Sequence, residues 1–343
     1  MHLKYKAALI IFGALFCFHW SFKRKSAAEE VRLDEEFYYE YQRISRSELS
    51  YLPGANLSKE RKSHLRQFCY KLGYEYSESS LDVMTWLKKP ISSRPRLYFS
   101  DKLKVIVCGV PKCGSTEWRK ALLIAEGDVN TTLPSDIDHE YAFTLARKRR
   151  FFWERFQGRT KHSRDMMNKR LNNYYRIMTV RDPLERVVSA YVDKMLPGGS
   201  GGTIYEKISR DIHHKFGLNK NTAGRATFEE FVDSILSNPE ELDIHWRSYS
   251  DICDPCHMRY DYTAKLETIS LDSEYLSKIS GIDNRILFPG HRDNKTDTRV
   301  HKWKFKYKEY LRKLPVKKLH ALYEFYWEQY KLFNYPPPPF VEV

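Results

Sequence analysis

The run Gly109-Val110-Pro111-Lys112-Cys113-Gly114-Ser115-Thr116 sets one ammonium, two glycines and two hydroxyls within eight residues. An apolar stretch precedes it and a helical pattern follows, so it predicts a strand, a tight loop and a helix N-terminus. Free backbone N–H groups and the positive end of the helix dipole then favour a bound anion. Residues Pro111, Lys112, Cys113, Gly114, Ser115, Thr116 and Glu117 are the candidates for holding it. The spacing is close to the phosphate loop of nucleotide triphosphatases, with one departure. Those loops put Lys directly after the second Gly. Here Ser115 follows Gly114 and the lysine stands two residues before it. The ammonium therefore reaches in from the loop itself, and no strand ending in Asp is at hand for magnesium. The plainer alternative is a structural turn in which Gly114 only permits close packing.

A second cluster runs Arg181-Asp182-Pro183-Leu184-Glu185-Arg186-Val187-Val188-Ser189. Arg181 falls at a predicted strand end and Ser189 two turns into the following helix. A guanidinium there suits bidentate contact with a phosphate, and a hydroxyl completes the site. By itself the pattern also reads as a capped helix whose Arg pairs with a neighbouring acid. Cys253 and Cys256 form a lone Cys-x-x-Cys. Zinc would need two more ligands at metal spacing, so a disulfide or plain thiols is the reading, with no metal site.

The elements that must position these groups are legible in part. Val105–Val110 is a short β-branched run, as in a buried parallel strand. Thr116–Glu126 carries an apolar helical face and stops at Gly127. Tyr175–Val180 predicts a second strand. Asp182, Pro183 and Glu185 occupy cap, first and third positions of a helix. Thr227 and Glu230 form a capping box before Phe228–Leu236, and Lys317–Leu332 reads as a terminal amphipathic helix. Strands alternating with helices predict an α/β body with a mostly parallel sheet flanked by helices.

The chain has 343 residues and a formal charge of +14 from 58 basic and 44 acidic residues, which calls for an anionic partner. Ten Lys or Arg against two acids lie between Arg147 and Arg170, suggesting a groove for a polyanion. Ala7–Phe22 is apolar and flanked by lysines and arginines. It predicts a signal anchor over 7–22 after a tail of residues 1–6, since basic residues follow directly and no clean cleavage site ends the run. Basic residues on both sides leave the orientation open. Residues 23–95 read as a stem and 96–343 as the catalytic body. Sequons at Asn56, Asn130 and Asn294 are compatible with a lumenal body.

Together these clusters resemble the sulfotransferases. Lys112–Thr116 is similar to their 5′-phosphosulfate loop, and Arg181 with Ser189 to their 3′-phosphate site. The order His245-Trp246, Cys253-Asp254-Pro255-Cys256, Tyr260-Asp261, Glu267-Thr268 narrows the likeness, as does the ending Leu322-Tyr323-Glu324 through Pro336. It looks like the Golgi carbohydrate sulfotransferases that include the chondroitin and dermatan 4-O-sulfotransferases and the N-acetylgalactosamine 4-O-sulfotransferases. The resemblance implies 3′-phosphoadenosine 5′-phosphosulfate (PAPS) as co-substrate, an anionic glycan acceptor and no metal requirement. It also implies a type II Golgi membrane protein with a lumenal catalytic domain and no nucleic-acid partner. Where vertebrate loops of that group read Pro-Lys-Val-Ala-Cys-Thr-Asn-Trp, this chain has Gly114 and Glu117, the latter a negative charge at the helix start. A sugar hydroxyl needs a proton acceptor in such a reaction. His245, beside Trp246, is the first candidate, and Glu267 with a raised pKa the second. His139, His213 and His214 lie in polar stretches without such company. Two rival functions remain at this stage: a P-loop kinase or nucleotide triphosphatase, and a catalytically inactive glycan-binding protein of the same fold.

Overall fold

The computed structural model describes residues 54–75, 80–217, 224–282 and 307–338. The candidate tail and anchor and the sequon at Asn294 lie outside these residues. Among the described residues, no helix is long and apolar enough to cross a membrane.

Four short strands form one sheet in the order β1 (Leu97–Ser100), β2 (Val105–Cys108), β3 (Tyr175–Val180), β4 (Tyr262–Lys265). β1 and β2 make an antiparallel hairpin, while β2–β3 and β3–β4 pair in parallel. The parallel character expected of the sheet is present. β2 is wholly buried, with Val105, Ile106 and Val107 fully inaccessible, which is why its sequence is continuously apolar rather than alternating. The strand stops at Cys108, two residues short of the expected end. Cys108 pairs with Met178 and Val180 with Lys265. The loops after β2, β3 and β4 therefore leave the same edge, where ligands of open α/β sheets sit.

Nine helices matter for the site: α1 (Ala55–Lys71), α2 (Ser115–Glu126), α3 (His139–Arg150), α4 (Lys161–Asn173), α5 (Pro183–Lys194), α6 (Gly202–Phe216), α7 (Phe228–Ser237), α8 (Ile269–Ser280) and α9 (Val316–Leu332). One core surrounds the sheet, and a second joins α5, α7 and α9 around Val187, Phe231 and Tyr326. Asp182 caps α5 by accepting from the Glu185 amide at 2.9 Å, and Thr227 closes the expected capping box on α7.

Residues 55–71, assigned to a stem on sequence, form a helix that packs on β4 and α9. Arg61 meets the fully buried Asp272 at 2.9 Å, Lys62 meets Asp261 at 3.0 Å, and Cys69 bonds Cys256. The weak apolar periodicity of this stretch reflects a helix held by charge and a disulfide. The Cys-x-x-Cys pair also resolves differently from a local bridge: Cys253 bonds Cys108 on β2, and Cys256 bonds Cys69. Asp254, with φ of 47°, separates two short helices, each carrying one of these cysteines. Asn130 is exposed in a loop. Asn56 is exposed in the first turn of α1, although Ser58 of its sequon is buried.

Candidate active site

The β2–α2 loop has the build of an anion cradle. Gly114 is the N-cap of α2 at φ 79° and supplies no side chain to cap its amides. Lys112 adopts φ of 68°, a left-handed conformation unusual for lysine and typical of backbone held for a purpose. Its ammonium meets Asp193 at 3.0 Å, and Lys194 reaches the same carboxylate oxygen at 3.3 Å. Burial pulls the Lys112 pKa down, overriding Asp193, and Lys194 and Arg181 push the same way. Burial acts to raise the Asp193 carboxyl, yet Lys112 and Lys194 hold it well below the usual carboxylate range. The two candidate anion-binding motifs leave adjacent parallel strands at one sheet edge. Cys113 faces the protein interior, with its sulfur 3.4 Å from the Tyr249 hydroxyl. Burial raises the Glu117 pKa, with Lys120 opposing.

In the second motif the residues separate by role. Arg181 pairs with Glu185 at 2.6 Å, one turn along α5. Ser189 is nearly buried, and Leu184, Val187 and Val188 are core residues that offer nothing to a ligand. Asp182 spends its carboxylate on the cap and on the Tyr330 hydroxyl at 3.1 Å. Burial, with Glu267 and Glu185 nearby, pushes its pKa up to about 6. Arg186 is a brace: its guanidinium donates to the carbonyls of Pro111, Ile244 and Arg247 at 3.1, 3.1 and 2.7 Å. It ties the phosphate loop to the segment that carries His245. Tyr249 completes the tie by bonding both the amide and the carbonyl of Arg181.

His245 lies where those two segments meet. Asp243 holds its Nδ1 at 2.6 Å, and the Tyr205 hydroxyl from α6 sits 3.0 Å from both that nitrogen and the Asp243 carboxylate. Burial lowers the imidazole pKa against the pull of Asp243, with Lys194 and Lys112 adding to the lowering. Asp243 and Tyr205 thus fix the orientation of the imidazole. Glu267 is placed differently. One oxygen accepts from the Asp182 amide at 2.7 Å and the other from the Tyr335 hydroxyl at 2.9 Å, so it clamps the β3–α5 turn.

One residue passed over on sequence joins the cleft. His139 opens α3, and its pKa is lowered by burial and then by Arg119 and Lys194, with Asp193 opposing. Its position depends on α3 packing against α2, which local spacing does not encode. The basic stretch from Arg147 to Arg170 also changes meaning. Arg147 pairs with Glu154, Arg149 and Arg150 with Asp128, Arg150 with Glu126 as well, and Arg170 with Asp101. Much of its charge holds helices together rather than facing a polyanion. Among the described residues, no group of His, Cys, Asp and Glu is arranged to hold a metal ion.

Residues 95–336 match the family model described as Sulfotransferase family. Human carbohydrate sulfotransferase 9 is 28% identical over 290 residues, covering 82% of this chain and 60% of that protein. Mouse carbohydrate sulfotransferase 10 is 29% identical over 259 residues, 72% of this chain and 68% of that protein. Mouse carbohydrate sulfotransferase 8 is 27% identical over 292 residues, 82% and 64% respectively. The chain thus spans about three fifths of the length of the first of these relatives. No solved structure matches. The matched span contains both candidate anion-binding motifs, the Arg186 brace and the Asp243–His245 pair, and the chain belongs to the sulfotransferase family.

Proposed function

We propose that this protein transfers a sulfuryl group from PAPS to a hydroxyl of an acidic glycan, with N-acetylgalactosamine of chondroitin or dermatan as the acceptor sugar. The observation that carries this reading is that the Lys112 loop and Arg181 leave adjacent parallel strands at the same sheet edge, with Arg186 of α5 tied to the loop by its bond to the Pro111 carbonyl. It supports one donor spanning both motifs, its phosphosulfate over the β2–α2 loop and its 3′-phosphate at Arg181 and Ser189. Lys112 exchanges Asp193 for the donor and neutralises the charge that grows on the leaving phosphate oxygen. Glu185 keeps the Arg181 fork oriented.

The acceptor hydroxyl gives its proton to a histidine. His245 is favoured by Asp243, which fixes the ring and stabilises the imidazolium once formed. His139 is a second reading, favoured by its exposure and its place in the field of Lys194 and Arg119. The two disulfides fit an oxidising compartment. With the apolar run at residues 7–22 they support a type II Golgi protein with a lumenal body.

The experiment supplies the purified chain with radiolabelled PAPS and desulfated chondroitin, dermatan or unrelated glycans. Label is expected on the galactosamine polymers. Turnover of ATP with magnesium and no sulfate transfer would favour the nucleotide triphosphatase alternative instead.

A further inference from the structure

Among the described residues, buried cations are matched, with one exception. Arg61, Arg150 and Arg170 each meet a carboxylate, and Arg186 is satisfied by three carbonyls. Arg119 is 7% exposed and forms no ion pair with any described residue. Its Nε and Nη2 donate to the carbonyl and hydroxyl of Ser115 at 3.0 and 2.9 Å. Its guanidinium lies 5.8 Å from the centre of the Tyr98 ring and 5.2 Å from that of Phe143. Arg96, just before β1, stands 5.9 Å from the same Phe143 ring and likewise has no carboxylate among the described residues. Two guanidinium groups thus lie near one aromatic ring, neither paired with a carboxylate among the described residues. Burial lowers the Arg119 pKa, against the pull of Tyr98 and with Arg96 adding to the lowering.

Their neighbours say which anion. Arg119 is bonded to Ser115 at the start of α2, the Arg96 carbonyl accepts from the Gly109 amide at 2.8 Å, and Phe143 lies one turn into α3, which His139 opens. The pair therefore lies beside the β2–α2 loop, on the α3 side. Lys112 and Arg181 are assigned to the donor. A planar guanidinium fork matches a planar carboxylate, and an aromatic ring suits a sugar face.

We propose that Arg96 and Arg119 form a subsite for the carboxylate of a uronic acid next to the sugar that is sulfated. This deepens, and rests on, the reading of the chain as a glycan sulfotransferase.

The test compares desulfated chondroitin with its carboxyl-reduced form, using the full chain and the variants Arg96→Ala, Arg96→Lys and Arg119→Lys. For the wild type, carboxyl reduction is expected to raise the acceptor KM by roughly 10-fold to 100-fold, the range for one lost charge-assisted contact. Arg96→Ala should raise KM similarly on the native polymer, change it little on the reduced one, and leave binding of adenosine 3′,5′-bisphosphate intact. Arg96→Lys should recover part of the loss, and Arg119→Lys should also blunt the difference between the polymers. Equal losses on both polymers, or a wild type indifferent to carboxyl reduction, would overturn the proposal. A rise in donor KM in Arg96→Ala would assign the pair to the donor. Restored affinity from a sulfate on a carboxyl-reduced polymer would make the anion a sulfate rather than a carboxylate. Absence of transfer to any glycan by the wild type would refute the underlying reading itself.

Discussion

Lys112 carries the largest single effect at the scale of the residue. Its ammonium is buried, left-handed in backbone and held by an exchangeable carboxylate. Lys112→Ala is expected to lower kcat by roughly 10²–10³ while the chain stays folded; steady-state turnover with circular dichroism checks it. Arg181→Ala should instead raise the donor KM and erase the preference for donors bearing a 3′-phosphate. A variant that keeps this preference would place the 3′-phosphate elsewhere. The two histidines separate by pH profile. His245→Ala and His139→Ala are each assayed for turnover and for binding of the desulfated nucleotide. The proton acceptor is the one whose loss removes the acidic limb of the turnover profile, where the wild-type base becomes protonated, without weakening nucleotide binding. Lys112, Arg181 and His245 are legible as candidates in sequence because each stands in a recognisable motif on a local loop. His139, Arg96 and Arg119 were not, since their company is assembled by α2 and α3 packing beside β1.

At the scale of the element, the β3–α5 junction is where fold and site share residues. Asp182 caps α5 with a carboxylate whose pKa burial and neighbouring acids raise to about 6. In the unfolded chain it titrates near 3.9, so the folded state binds more protons between these values. The sign follows: this group's contribution to stability declines as pH rises from about 4 to 6, and the deficit persists above that. Its size is roughly 2–3 kcal/mol at most. Asp182→Asn keeps the capping oxygen and removes the charge. It should flatten that part of the pH dependence, read as the urea midpoint at several pH values. An unchanged difference between pH 4 and 7 would contradict the assignment. This junction was also the most legible element: the Asp-Pro-x-Glu pattern is a local instruction, and the bounds of β3 followed from its own residues. β4 was not legible. Tyr-Thr-Ala-Lys has no apolar run, and it becomes a strand by pairing with β3 and burying three of its four residues. The reading of 23–95 as stem failed at α1 for a similar reason: that helix is held by partners some 190 to 210 residues away.

Two disulfides set the scale of the whole molecule. They join positions 187 and 145 residues apart, tying α1 to the Cys256 segment and β2 to Cys253. Loops of that length give about 4–5 kcal/mol each in the chain-entropy account. Replacing Cys69 and Cys256 together by Ala is expected to lower Tm by roughly 5–15 °C. No spacing rule pairs cysteines this far apart, so sequence left their partners open. The whole molecule also concentrates its anion-binding groups at one sheet edge, and the central claim is that a single PAPS molecule bridges Lys112 and Arg181 there. The most direct measurement is transfer of labelled sulfate from PAPS to desulfated chondroitin by the wild type, Lys112→Ala and Arg181→Ala. Product is followed against donor concentration. The account predicts labelled polymer from the wild type, a loss confined to kcat for Lys112→Ala, and a loss dominated by donor KM for Arg181→Ala. Undiminished transfer by both variants, or no labelled glycan from the wild type with any acceptor, would contradict it.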